Sequence, residues 1–160
     1  MGTQQILLIV LSVIIVGVAI AVGINMFNNQ AYNSNKTAIA ADAQSFATQV
    51  VQYYKTPTSQ GGGGQALIDA GATPPVTAAA TATALSAYLG WTSGATFNDN
   101  GLYAITNITA TSVVITGHGK TAKGSAYGKV VTTISFPDGT IASTLSDDGT
   151  ASSPTAFTGS

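Results

Sequence analysis

The sequence predicts an α+β fold in which one long N-terminal helix packs on a small antiparallel β-meander. Residues 1–55 contain an uncharged apolar run followed by an amphipathic helical stripe. Glycine and proline interrupt residues 56–101, apart from a short helical pattern at about 77–89. Over residues 102–160 the hydrophobic period falls to two, as is typical of strands, so we expect a β-sheet head and a C-terminal tail there.

Residues 1–27 contain a segment long and apolar enough to cross a bilayer. Residues 6–27 lack any charge, and at about 1.5 Å per residue they span the roughly 30 Å hydrocarbon core. A cleavable secretory signal would have a basic start and an apolar stretch of only about 7–15 residues. A buried core helix of this length would be unusual in a single domain. The side chains that we expect in the membrane or in a filament core are Ile6, Leu7, Leu8, Val10, Leu11, Val13, Ile14, Ile15, Val18, Ile20 and Phe27.

Residues 28–55 continue the helix as an amphipathic half. They contain no glycine or proline, and Pro57 marks their end. Apolar residues recur at spacings of 4, 3, 4 and 3, which places them on one face of a helix: Ile39, Ala43, Phe46, Val50 and Tyr53. We expect a single helix over about residues 4–55, roughly 78 Å long, that holds the head through this stripe.

The first third of the chain resembles the type IV pilins and the related pseudopilins. The resemblance lies in MGTQQILLIVLSVIIVGVAIAVGI, where an apolar helix begins at position 6 and becomes amphipathic near residue 28. It implies that a leader is removed before Met1 and that the Met1 α-amino group is methylated. It also implies subunit docking through Met1 and position 5, where the family usually has Glu and this chain has Gln5. An amide accepts a hydrogen bond from the ammonium group but brings no charge.

The helix departs from the family pattern at a second position. Val22 stands where the family often has a proline that lets the helix melt on assembly. Gly17 and Gly23 would supply a softer break, because glycine lowers helix propensity by about 1 kcal/mol.

The resemblance implies a structural subunit of an extracellular filament on the cell surface. The implied partners are identical subunits in a helical polymer, the inner membrane before assembly, a prepilin peptidase and the pilus assembly machinery. Only 7% of residues are charged and the net charge is −1, which offers no basic field for nucleic acid. Two alternatives stay open: a pseudopilin of a secretion-system pseudopilus, and a membrane-anchored binding module that does not polymerise.

The head is predicted to follow a glycine-rich loop. Residues 61–64 are all glycine and match no nucleotide-binding motif, and we expect one helical turn near residues 66–70. The helix at 77–89 should turn Leu85, Tyr88 and Leu89 to the core. The predicted strands cover residues 102–108, 112–117, 126–136 and 140–145, and the turn Pro137-Asp138-Gly139 joins the last two.

No group of residues suggests an enzyme, and we expect no cofactor. Cysteine is absent, which excludes disulfides and thiol catalysis. His118 is the only histidine, and we interpret its Gly-His-Gly-Lys sequence as an exposed turn between strands. Asp138, Asp147 and Asp148 form a weak calcium candidate, since calcium prefers oxygen ligands; the alternative is a solvated turn.

Two Asn-X-Thr sequons are possible glycosylation sites. They begin at Asn35 and Asn107, although such triplets also arise by chance in a threonine-rich chain. The Ser/Thr-rich tail, residues 152–160, is a candidate for O-linked sugar.

Overall fold

The computed structural model describes residues 2–71, 75–92 and 94–148. Within these residues a long helix is followed by a 3₁₀ turn, a second helix and five strands. The elements are α1 (Gly2–Lys55), the 3₁₀ turn (Thr58–Gln60), α2 (Ala78–Leu89), β1 (Ala95–Phe97), β2 (Gly101–Ile108), β3 (Ser112–Lys123), β4 (Ala126–Ser135) and β5 (Thr140–Asp148). The strands form one antiparallel sheet in chain order. The predicted α+β fold, a long helix on a meander, is confirmed.

Helix α1 is continuous but has two different environments. From residue 6 to residue 27 its large apolar side chains are exposed on every side, whereas from Tyr32 onward one face is buried. The asparagine-rich stretch at residues 28–35 stays helical. After Lys55, Pro57 cannot continue the backbone hydrogen bonding, and the chain enters the short 3₁₀ turn.

The core forms where the second half of α1 lies across β3 and β4. The Phe46 ring meets Trp91 edge-on, with centroids 5.0 Å apart, and Tyr103 at 5.1 Å. The Tyr54 ring stacks on Phe136 at 4.1 Å. Burying each large apolar side chain stabilises the fold by about 1.5–3 kcal/mol. The fully buried members of this core include Ile39, Val50, Leu67, Leu85, Tyr103, Val113, Ile115, Val130 and Ile134.

The sheet presents alternate residues to α1, as the period of two predicts. In β4, Val130, Thr132 and Ile134 are buried, while Val131 and Thr133 between them are only half-buried. The Pro137-Asp138-Gly139 sequence lies in the turn between β4 and β5, as expected. Its Gly139 has φ +75° and lies against Val51 of α1.

Four local predictions were wrong. Tyr88, expected on the core face of α2, is 41% exposed, because its ring lies against Tyr53 at the edge of the core. Residues 66–70 form no helical turn; the 3₁₀ turn lies at Thr58–Gln60, and Asp69 pairs with Val76 in an isolated bridge. Strand β1 was assigned to loop, because three residues are too few to show a period. Strand β3 continues to Lys123, beyond its predicted end at Gly117, because pairing with β2 and β4 holds residues 118–123 extended.

Candidate functional site

The exposed apolar part of α1, residues 2–27, is here called the stem. By length and composition α1 could cross a membrane: its most apolar 18-residue window has a mean hydropathy of 3.2, and none of that window is buried. The exposed fraction of the apolar side chains predicted for this surface runs from 50% at Leu11 to 78% at Phe27. A contiguous apolar surface of this extent marks a contact with membrane or protein.

The polar groups of the stem are satisfied within the helix. The Ser12 hydroxyl donates to the Ile9 carbonyl at 2.8 Å, and the Asn25 amide donates to the Ala21 carbonyl at 3.1 Å. Such internal pairing removes the cost of placing these groups in lipid. The helix runs through Gly17 and Gly23 without a break.

The predicted docking residues are placed only in part. Gln5 lies exposed in the first turns of α1. Met1 lies outside the described residues, so docking through Met1 and Gln5 stays a prediction.

The stem joins the head, defined as α1 from Tyr32 onward together with the remaining elements, at a polar junction. The Tyr32 hydroxyl and the Lys36 ammonium group both donate to Oδ1 of Asp147, each at 2.6 Å. Both hydrogen bonds lower the pKa of Asp147, and the bond from Lys36 has the larger effect. Burial and then the Asp147 bond raise the pKa of Tyr32 to about 12. An ionised Asp147 therefore ties the end of β5 to α1.

Asn35 also belongs to this junction. Its Nδ2 donates to the Asn100 carbonyl at 2.8 Å, and its Oδ1 accepts from the Thr121 backbone N–H at 3.2 Å. N-linked sugar attaches at Nδ2, and in this fold that atom already donates a hydrogen bond to Asn100. Asn107 is exposed on β2, and glycosylation there stays a prediction. The O-linked candidates, residues 152–160, lie outside the described residues.

A second polar cluster surrounds Asp42, one residue from the buried Ala43. Oδ2 of Asp42 accepts from Asn98 Nδ2 at 2.9 Å, Asn100 Nδ2 at 2.8 Å and the Tyr103 hydroxyl at 2.8 Å. Partial burial opposes ionisation, but these three bonds outweigh it and lower the pKa of Asp42. Sequence reasoning missed this cluster; the Asn-Asp-Asn turn before β2 was the available signal.

His118 was wrongly predicted to be an exposed turn residue. It lies within β3, paired with Leu102 of β2 and Lys129 of β4, and only 5% of its surface is exposed. A residue flanked by two strands is covered by their side chains, which a turn assignment ignores. Among the described residues, no group of three or more His, Asp or Glu is placed to hold a metal ion.

The calcium candidate is wrong as well. Asp138 lies in the turn before β5 and Asp147 near the opposite end of that strand, so their positions are separated by roughly 30 Å. Asp147 is engaged by Lys36 and Tyr32 instead. Asp148 ends β5, and its side chain is outside the described part. The alternative of a solvated turn fits Asp138, which is exposed in the turn before β5, but not Asp147, which lies within β5.

No family model, curated protein or solved structure matches this chain. The function is therefore argued from the stem, the head and the way in which they are joined.

Proposed function

We propose that the chain is the structural subunit of an extracellular, type IV pilus-like filament. The stem holds the subunit in the cytoplasmic membrane before assembly and forms the fibre core afterwards. One observation carries this proposal: the 18-residue apolar window of the stem has no contact that buries it within its own chain.

The exposed stem requires a partner. Each large apolar side chain gains about 1.5–3 kcal/mol on leaving water, and 16 of the 22 residues from 6 to 27 carry such side chains. Lipid supplies this environment in a membrane, and the stems of sister subunits supply it in a fibre. The stem exchanges one for the other without unpairing a backbone hydrogen bond, because all of its backbone bonds are internal to the helix.

The rigid link between stem and head favours a polymer over a simple anchor. Helix α1 is unbroken from Gly2 to Lys55, and Tyr32, Asn35 and Lys36 fasten its middle to β3 and β5. A helical polymer repeats one heterologous contact, which requires a constant geometry between the contacting parts of each subunit. A tethered binding module has no such requirement.

The composition of the head supports the same proposal. Charged residues make up only 7% of the chain, and Asp42 and Asp147 are already engaged within the subunit. Packing such heads side by side desolvates few charges, which is the costly part of forming an interface between protein surfaces. The resemblance of residues 1–55 to type IV pilins agrees with this argument.

A single substitution in the stem tests the proposal. Val13→Asp places a carboxylate in the apolar helix, at a cost of about 2.5–3.5 kcal/mol at a bilayer centre. We expect cells that make this variant to yield no sheared surface fibres by gel and electron microscopy. Val13→Leu, which keeps the apolar surface, should yield fibres as the wild type does.

The membrane fraction of the same cells is blotted so that lost synthesis is not mistaken for lost assembly. Normal fibres from the Val13→Asp variant would contradict the proposal. Wild-type protein that stays monomeric in detergent, from cells without fibres, would support a membrane-anchored module instead.

A further inference from the structure

The head begins almost immediately after the stem ends. Phe27 is the last residue of the apolar run, and Tyr32 is already 96% buried in the head. Only four residues of unbroken helix lie between them, so their Cα positions are about 7.5 Å apart along the helix axis. The end of the head that is nearest the stem is therefore held close to the lipid headgroups whenever the stem spans a bilayer.

The β3–β4 hairpin lies at the end of the sheet that faces the stem. The Thr121 N–H binds Asn35, so this point of β3 is level with Asn35 on α1. Strand β3 continues toward the stem, and three more residues at about 3.3 Å each advance it by up to roughly 10 Å. That distance equals at most about six to seven helix residues, so the hairpin tip, residues 123–126, lies between the levels of Asn35 and Asn29 on α1.

The chemistry of the tip suits a phosphate-bearing surface. Lys123, Gly124 and Ser125 are exposed, and Lys120 lies close by with its ammonium group 5.4 Å from the centre of the Phe97 ring. Lys36 forms a 2.6 Å ion pair with Asp147, whereas Lys123 feels the charge of Asp147 without a direct ion pair to it. Lysine is a compact point charge that binds phosphate, and the hydroxyl of Ser125 adds a further donor.

The surroundings of the tip limit the range of this attraction. Asp99 is exposed and lies near Lys120, because the backbone N–H of Lys120 donates to the carbonyl of the next residue, Asn100. Asp147 and Asp148 of β5 lie at the same end of the sheet. Positive and negative groups therefore nearly balance at this end of the head. Contact with phosphate must be short-ranged, made because the stem holds the tip at the bilayer surface.

We propose that the hairpin tip, residues 123–126, binds the phosphate groups of membrane phospholipids through Lys123 while the stem spans the bilayer. This inference rests on the membrane stage of the proposed function. It adds a second membrane contact, on the head, that each subunit gives up when it leaves the bilayer for a fibre.

The absence of cysteine allows a direct test with single labels on the full chain. Ser125→Cys and Asp138→Cys each receive the same fluorophore, and the proteins are reconstituted in phosphatidylcholine vesicles that carry a nitroxide quencher on the headgroup. Asp138 is the matched control, because it also lies in a hairpin turn. Its neighbour Gly139 contacts Val51, which is 24 helix residues, about 36 Å, beyond Phe27.

We expect several-fold stronger quenching at residue 125 than at residue 138. Adding Lys123→Gln to the Ser125→Cys variant should reduce that quenching. Vesicle flotation shows first that each variant is inserted. Inserted protein with equal quenching at both sites, or with quenching at residue 125 that Lys123→Gln leaves unchanged, would overturn the inference without affecting the filament. Protein that fails to float with the vesicles would overturn both the inference and the membrane stage of the proposed function.

Discussion

The Tyr103 hydroxyl donates a 2.8 Å hydrogen bond to Oδ2 of Asp42, which links the second strand of the sheet to the long helix. The side-chain amides of Asn98 and Asn100 donate to the same oxygen. The three bonds hold the loop before β2 against α1 and keep the carboxylate ionised at neutral pH. Asp42 therefore fixes the position of the sheet along the helix.

Replacing Asp42 with Asn should destabilise the head. The change leaves three donors around a neutral oxygen, and hydrogen bonds to a charged acceptor contribute about 1.5–3 kcal/mol. We expect the free energy of unfolding to fall by about 1–3 kcal/mol. It can be measured by denaturant titration in detergent, with fluorescence from Trp91, the single tryptophan. Asp138→Asn, the same change in an exposed turn, should stay within about 0.5 kcal/mol of the wild type.

The stability of the head should also depend on acid through Asp42. Its pKa in the fold lies below the ordinary value of 3.8, so the unfolded chain takes up a proton at higher pH than the folded one does. The contribution of Asp42 is complete above the unfolded value and is lost as pH falls below about 4. The unfolding free energy of the wild type should fall more steeply in this window than that of Asp42→Asn. Equal slopes would show that Asp42 is not responsible.

Gly117→Ala should destabilise the sheet where α1 covers it. A Cβ at this position would lie 2.8 Å from Cδ1 of Tyr103 and 2.8 Å from Cγ1 of Val130, both fully buried side chains. Overpacking of this kind costs about 1–3 kcal/mol. Gly128→Ala is the matched control, because its Cβ would meet Lys36 Cγ at 3.4 Å and Ile39 Cδ1 at 3.5 Å, which are ordinary contacts. Thermal unfolding should separate the two variants, and equal midpoints would refute the packing argument.

Gln5→Glu should increase fibre assembly. Position 5 is exposed in the first turns of the stem, where the resemblance to type IV pilins implies contact with the α-amino group of a neighbouring subunit. A carboxylate there would form a charge-assisted hydrogen bond, roughly twice as strong as a neutral one. We expect more pelletable fibre from equal amounts of membrane-held protein, and less from Gln5→Lys. A decrease with Gln5→Glu would argue against docking at this position.

Much of the fold could be predicted because its largest signals are local. The uninterrupted apolar run and the Ile39–Tyr53 spacing depend only on neighbouring residues, and both follow from helix geometry. The extent of β3 and the burial of His118 could not be predicted in this way. The Gly-His-Gly-Lys sequence has turn-like composition, and only pairing with β2 and β4 overrides it.

The site was predictable to a similar extent. The stem was evident from hydropathy. The hydrogen-bond partners of Asp147, however, are 111 and 115 residues away from it in the sequence, and those of Asp42 are 56 to 61 residues away. Such long-range pairs leave no periodic signal in a single sequence. The calcium hypothesis failed for the same reason, because sequence proximity of Asp138 and Asp147 does not reveal that an extended strand separates them.

The most direct test of the filament proposal is electron cryo-microscopy of fibres sheared from cells that produce this chain, with mass spectrometry to identify the subunit. We predict a helical fibre of this chain in which parallel stems fill the core and the heads lie outside. Fibres whose core excludes residues 6–27, or cells that hold the chain in the membrane but carry no fibre containing it, would contradict the proposal.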